Sequence, residues 1–264
     1  MNGKYYKSFL LGFLLLVTAT FSLAQTTKTK PFGVGETLAY EGKFSKIIKG
    51  IGVADLNLTI ERAADGRNYL IKSEARSKGS LLKLFRFSFF QQFASTIDAD
   101  DFRILKTVKH DEQKERVRNS EAVFDYGNLQ VTYVETDPLD RARAPRKIAS
   151  EITENTHDLV SAIYSLRLLP LAVGKSFDVH ISDSGLLYKI PVRVTKREQQ
   201  KSILGKMWCF RLEPEIFGVN RLIEKEGDMT IWITDDVRRL PVRAQINSDI
   251  GRIEIKLKSA QRLK

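Results

Sequence analysis

Ile51-Gly52-Val53-Ala54-Asp55-Leu56-Asn57-Leu58-Thr59-Ile60 alternates with a period of two. Ala54, Leu56, Leu58 and Ile60 fall on one side, and Val53, Asp55, Asn57 and Thr59 on the other. Successive side chains of an extended chain point to opposite faces, so the run predicts a strand with one buried and one wet face. Asp65-Gly66 then supplies a turn, where glycine adopts positive φ without steric cost, and residues 69–77 predict the returning strand. Near the other end, Ile253, Ile255 and Leu257 alternate with Arg252, Glu254, Lys256 and Lys258 in the same way.

The rhythm continues through most of the chain. Strands are expected at 102–109, 114–125, 129–135, 176–182, 187–198, 206–213, 227–234 and 242–247, separated by Asp, Asn or Gly turns, with Leu240-Pro241 opening a strand. Residues 137–156 carry Pro138, Pro145 and several charges with little period, and predict a long connection. One helix follows. Asn155 or Thr156 can cap it, Asp158 adds favourable charge to its first turn, and Leu159, Ile163 and Leu166 form a stripe beside Tyr164 before Pro170 and Gly174 end it. The pattern therefore predicts an all-β, mainly antiparallel architecture: a curved sheet or half-open β-barrel of about a dozen strands, with one packed helix near 156–168. A single β-rich domain over 25–264 accommodates it.

The first 24 residues read as an export signal. Lys4 and Lys7 precede a short apolar core at 9–17, and Ser22 and Ala24 are the small residues of a cleavage site that leaves Gln25 first. The apolar core is short for a hydrocarbon layer of ~30 Å. No cysteine follows it to be acylated, so a soluble periplasmic protein is expected rather than a lipoprotein. Loss of the two leader lysines takes the formal charge from +11 to +9. That excess favours anionic partners, and for an exported protein the anionic membrane surface or an envelope protein is expected before nucleic acid. Cys209, flanked by Trp208 and Phe210, is the only cysteine and reads as a buried, inert thiol.

Chemistry is sparse. His110, His157 and His180 stand at no metal-ligand spacing, and neither a nucleophile elbow nor a phosphate loop occurs, so no cofactor and no metal are expected. A hydrolase would need His157 or His180 to converge with a carboxylate and Ser161 or Ser184. The feature least explained by a plain fold is Leu81, Leu82 and Leu84 followed by Phe85, Phe87, Phe89 and Phe93. These residues fill the core, line a greasy cavity, or form an apolar lip. The candidate cavity residues are Leu56, Leu58, Phe87, Phe89 and Ile163, with Lys83, Arg86, Lys106 and Lys109 available for an acidic headgroup. Arg167, on the expected helix, either pairs with an acid of the sheet such as Asp55 or Glu61 or faces the mouth and binds an anionic headgroup.

Three separated runs carry a resemblance. Phe32-Gly33-Val34-Gly35-Glu36-Thr37-Leu38-Ala39-Tyr40 resembles an F-x-V-G-E-x-L-x-Y opening. Asp158-Leu159-Val160-Ser161-Ala162-Ile163-Tyr164-Ser165-Leu166-Arg167 resembles D-x-x-S-x-x-Y-x-x-R. Ile231-Trp232-Ile233-Thr234-Asp235-Asp236 with Arg239-Leu240-Pro241-Val242 resembles I-W-x-T-D-D…R-x-P-V. In this order they are similar to the exported bacterial family known as domain of unknown function 3108. The chain departs from that pattern in its first strand pair, where Phe44 or Ile47 stands for a tryptophan. The resemblance implies an exported β-rich protein with no established activity. The closing strands are also similar in architecture to periplasmic lipoprotein-localisation carriers, half-open barrels that hold acyl chains against a helix. Together these readings lead to a non-enzymatic envelope protein that binds a lipid, an acylated molecule or another hydrophobic ligand in its curved sheet. The alternative is a structural or assembly protein that acts through its basic surface without a cavity.

Overall fold

The computed structural model describes residues 30–45 and 50–263; the segment expected to be an export signal, its expected cleavage site and Ile47 lie outside the described residues. In chain order the elements are β1 (Thr37–Ser45), β2 (Ile51–Arg62), β3 (Tyr69–Ser77), α1 (Gly79–Phe85), β4 (Phe89–Ile97), β5 (Ile104–Gln113), β6 (Arg116–Asp125), β7 (Gln130–Thr136), β8 (Arg146–Glu151), β9 (Thr156–His157) and α2 (Leu159–Leu168). They continue as β10 (Ser176–Asp183), β11 (Leu186–Ser202), β12 (Gly205–Pro214), β13 (Gly227–Thr234), β14 (Pro241–Ser248) and β15 (Gly251–Gln261).

All fifteen strands of the described residues join one sheet in the order β8-β7-β6-β5-β4-β3-β2-β1-β15-β14-β13-β12-β11-β10-β9. Every pairing is antiparallel except the short parallel contact of β9 with β10. The sheet grows both ways from the pairing of β1 with β15, so its two edges, β8 and β9, are joined by only residues 152–155. That short connection forces the sheet to roll until its edges meet. β8 reaches the turn between β10 and β11, where the Ser150 hydroxyl donates to the Gly185 carbonyl at 2.6 Å. Among the described residues no ladder crosses this seam, and the barrel stays open there.

Bulges supply curvature, because an extra residue on one strand increases local twist. One falls on the strand that first revealed the fold. The register passes from Gly42–Ala54 to Lys43–Gly52, which leaves Val53 as the inserted residue. Val53 is buried, although plain alternation places it with the exposed Asp55 and Asn57.

Two expectations need correction. Residues 137–156 are not all connection: β8 and β9 lie within them. β8 is a sheet edge with its charges in water, so it carries no apolar period. The helix begins one turn later than expected, with Asp158 rather than Asn155 or Thr156 as its cap. α2 is also buried on more than one side. Val160 and Tyr164 face a cluster with Leu38, Leu58, Ile60, Ile71, Ile97 and Ile104, while Ala162 and Leu166 face another with Val179, Ile190, Val192 and Leu212. A helix that fills a barrel has no wet side, and its apolar stripe is correspondingly weak.

Candidate functional site

α2 crosses the interior and seals one end of the sheet. Asp158, almost fully buried, accepts from the backbone N–H of Val160 at 3.1 Å and Ser161 at 2.7 Å. Ser161 answers by accepting from the Asp158 N–H at 3.0 Å, a capping box. The other Asp158 carboxylate oxygen accepts from Thr107 at 2.6 Å and from Ser95, which ties the helix start to β5 and β4. Nine residues on, the Arg167 guanidinium grips Glu36 with two parallel bonds, 2.5 Å and 2.9 Å. It also donates to the carbonyls of Pro31 at 2.9 Å and Arg238 at 3.0 Å.

The rings around this pair are equally buried. Phe32 packs edge-on to Tyr164 with centroids 5.1 Å apart and touches Phe102 at 5.2 Å, and Arg167 lies 5.0 Å above Phe32. Tyr40 donates its hydroxyl to the Pro241 carbonyl at 2.9 Å. Burial pushes both tyrosines, Tyr40 and Tyr164, above their ordinary pKa, so they stay neutral. Thr234 and Asp236 hold the β13–β14 turn: Leu240 N–H donates to the Thr234 hydroxyl at 2.8 Å, and that hydroxyl to Asp236 at 2.7 Å. The three sequence motifs thus meet at one place. Their shared residues build a buried joint between the N-terminal segment, the helix and the β13–β14 turn.

Arg167 therefore adopts the first of its two expected roles with a different partner. Asp55 pairs instead with Lys78 at 3.0 Å and Glu61 with Lys72 at 2.8 Å, both on the convex face. Glu36 had no strand period to mark it as buried; its place in the opening motif was the available signal.

The other candidates separate. Leu58 is buried in the main cluster, with Leu56 and Ile163 packed against it. Phe87 and Phe89 belong to neither buried cluster among the described residues; they lie half-buried at the opposite end of the barrel, centroids 6.2 Å apart. Phe85 stacks edge-on against Phe44 there at 4.9 Å. Lys106 is paired with Glu121 at 2.7 Å, whereas Lys109 lies 5.0 Å over Phe93.

That second end is not sealed by the helix. Two residues beyond Leu58 and Leu257, Leu56 and Ile255 face inward and remain half-buried, as do Ile253 and Ile246, which pair with each other across β14 and β15. Opposite them, the inward parity that runs through Ser95 and Thr107 places Gln91, Asp111 and Arg118 on the concave side of β4–β6. Gln91 donates to Asp111 at 2.7 Å, Arg116 meets Asp111 at 3.3 Å, and Arg118 meets Asp137 at 2.5 Å. At this end the inward side of β2, β14 and β15 is aliphatic and that of β4–β6 is polar and charged.

The histidines are dispersed. His110 on the convex face bonds Glu112 at 2.8 Å and Asn119 at 2.6 Å, which raises its pKa. His157 beside α2 is pushed down to about 4 by burial, with the charge of Asp158 opposing and His180 assisting. Cys209 is buried and its thiol is pushed up to about 12, first by burial and then by nearby carboxylates.

Fold and site together define a β-barrel-like domain: an open fifteen-stranded sheet whose one end is locked by a buried helix. The chain belongs to the family of proteins of unknown function DUF3108, whose model matches residues 39–258. No curated protein matches the chain. Among solved structures it is similar to a β-barrel-like protein of the domain of unknown function DUF1849 from Brucella abortus. That likeness has a TM-score of 0.55 and 10% identity, over 86% of this chain and 97% of that one. A protein of YmcC-like fold from Bacteroides fragilis is a looser match, with a TM-score of 0.35 and 10% identity, over 88% of this chain and 98% of that one. At such identity the first likeness speaks for the fold alone.

Proposed function

We propose that the protein is exported to the periplasm and, without catalysis, holds one amphiphile (a lipid or an acylated envelope molecule) in the unsealed end of its sheet. The acyl chain lies along Leu56, Ile246, Ile253 and Ile255, and the headgroup meets the polar wall of Gln91, Asp111 and Arg118. The observation that carries this reading is the pairing of those two walls. Inward-facing aliphatic side chains keep access to solvent at one end, while the helix fills the other. Each methylene removed from water contributes about 0.8 kcal/mol, so about ten fully buried methylenes supply the roughly 8 kcal/mol of micromolar retention before association costs, and a longer acyl chain is needed where cover is partial. The leader sequence supports export. Ser161 and Ser184 are engaged with Asp158 and Asp183, which favours a binding role over hydrolysis. Of the initial candidates, Leu56, Phe87 and Phe89 remain at the ligand end, while Leu58, Ile163 and Arg167 serve the sealed one.

Extraction and mass analysis of protein purified from its native envelope tests the proposal. One co-purifying acyl species per chain is expected. A folded protein that carries none overturns the reading and leaves the assembly role.

A further inference from the structure

At the unsealed rim, large apolar side chains point into water beside the cations Lys83 and Arg86. Leu82 is 51% exposed, Phe85 41% and Ile250 50%. Leu82 and Phe85 are three residues apart on α1, hence neighbours on one helix surface. Ile250 sits in the β14–β15 turn, next to Gly251, whose backbone lies against the Phe44 ring. The Phe44 ring stacks on Phe85 and lies so close to Gly251 that a Cβ there would come within 2.7 Å of it. Lys83 and Arg86 are exposed on the same short helix and its cap, and neither takes an ion-pair partner among the described residues. Most other cations of this sheet are paired, Lys43, Lys78 and Lys258 all on Glu41. Apolar tips beside two cations that have no ion-pair partner among the described residues fit a surface that is greasy beneath and anionic above.

We propose that this rim docks on an anionic lipid bilayer surface, with Leu82, Phe85 and Ile250 entering the acyl boundary and Lys83 and Arg86 on the headgroups. α1, at seven residues, lies on the membrane and is far too short to cross it. The docking surface is separate from the groove walls, so it holds whether or not the groove carries a ligand.

Flotation of the purified protein with vesicles tests it, using equal parts phosphatidylglycerol and phosphatidylcholine against phosphatidylcholine alone. The protein is expected to float with the anionic vesicles and to be released by high salt. Lys83→Glu with Arg86→Asn is expected to weaken partition by more than tenfold, since each basic residue near the surface is worth roughly fivefold. Leu82→Ser, which leaves the Phe44–Phe85 stack intact, is expected to weaken it severalfold at an unchanged melting temperature. Equal flotation on phosphatidylcholine alone, no flotation, or variants that bind like the parent would each overturn the proposal.

Discussion

Arg167 and Glu36, 131 residues apart in the chain, form a two-bonded ion pair in which neither side chain is more than 1% exposed. Such a pair is costly to assemble, because both charges leave water, and still more costly to break, because the survivor stays buried and alone. It fixes geometry rather than adding net stability. Here it ties the last turn of α2 to the segment that leads into β1.

The start of the helix is expected to be nearly as sensitive. Asp158→Ala removes a cap and strands the Ser95 and Thr107 hydroxyls. A loss of ~3 kcal/mol follows from about 1 for the cap and about 1 or more for each orphaned group. Urea unfolding reads the loss directly. A change below about 1 kcal/mol would show that water replaces the carboxylate without penalty.

The seam depends on a glycine. Gly185 has φ +80°, and an added Cβ would come within 2.8 Å of the Tyr133 Cβ and 2.9 Å of the Ile148 Cβ. Gly185→Ala is expected to cost about 2 kcal/mol or more and to speed amide exchange in β7 and β8 selectively. Uniform acceleration across the sheet would mean that the seam does not open as a unit.

His157 makes stability fall in acid. The unfolded ring takes a proton near pH 6.5, whereas the native ring resists until about pH 4. Between those values the unfolded state binds more protons, so stability decreases as pH falls through the window and levels off below it. His157→Gln is expected to flatten this segment of the curve. An unchanged slope would place the titration elsewhere.

Cys209 should be silent. With its thiol pushed up to about 12 and buried, native protein is expected to leave a disulfide reagent unreacted at pH 8, with one thiol released on unfolding. Rapid reaction of the native protein would contradict that burial.

Much of this architecture was legible in the amino-acid order, and for a physical reason. A sheet with one dry face writes its parity into the sequence, so 69–77 and 227–234 appear as β3 and β13 with the same limits. β8 was not legible because a short, mostly charged edge strand carries only Ile148 and Ser150 on its drier face, too few to write an apolar parity. Val53 misled because a bulge reverses parity at one residue. At the site, Arg167 was visible as the odd charge on an apolar helix. Glu36 was not, since partners in a buried pair share no local pattern. Phe87 and Phe89 looked like core by composition, yet composition does not say which end of a barrel a strand reaches.

The double-mutant cycle on Glu36 and Arg167 probes the joint most directly, with unfolding free energies for Glu36→Gln, Arg167→Met and the pair of changes together. Each single change is expected to cost about 3–5 kcal/mol, and the double variant to recover at least 2 of them, because no lone charge remains buried. Additive losses, with coupling below about 0.5 kcal/mol, would contradict a helix locked to the sheet through these two side chains.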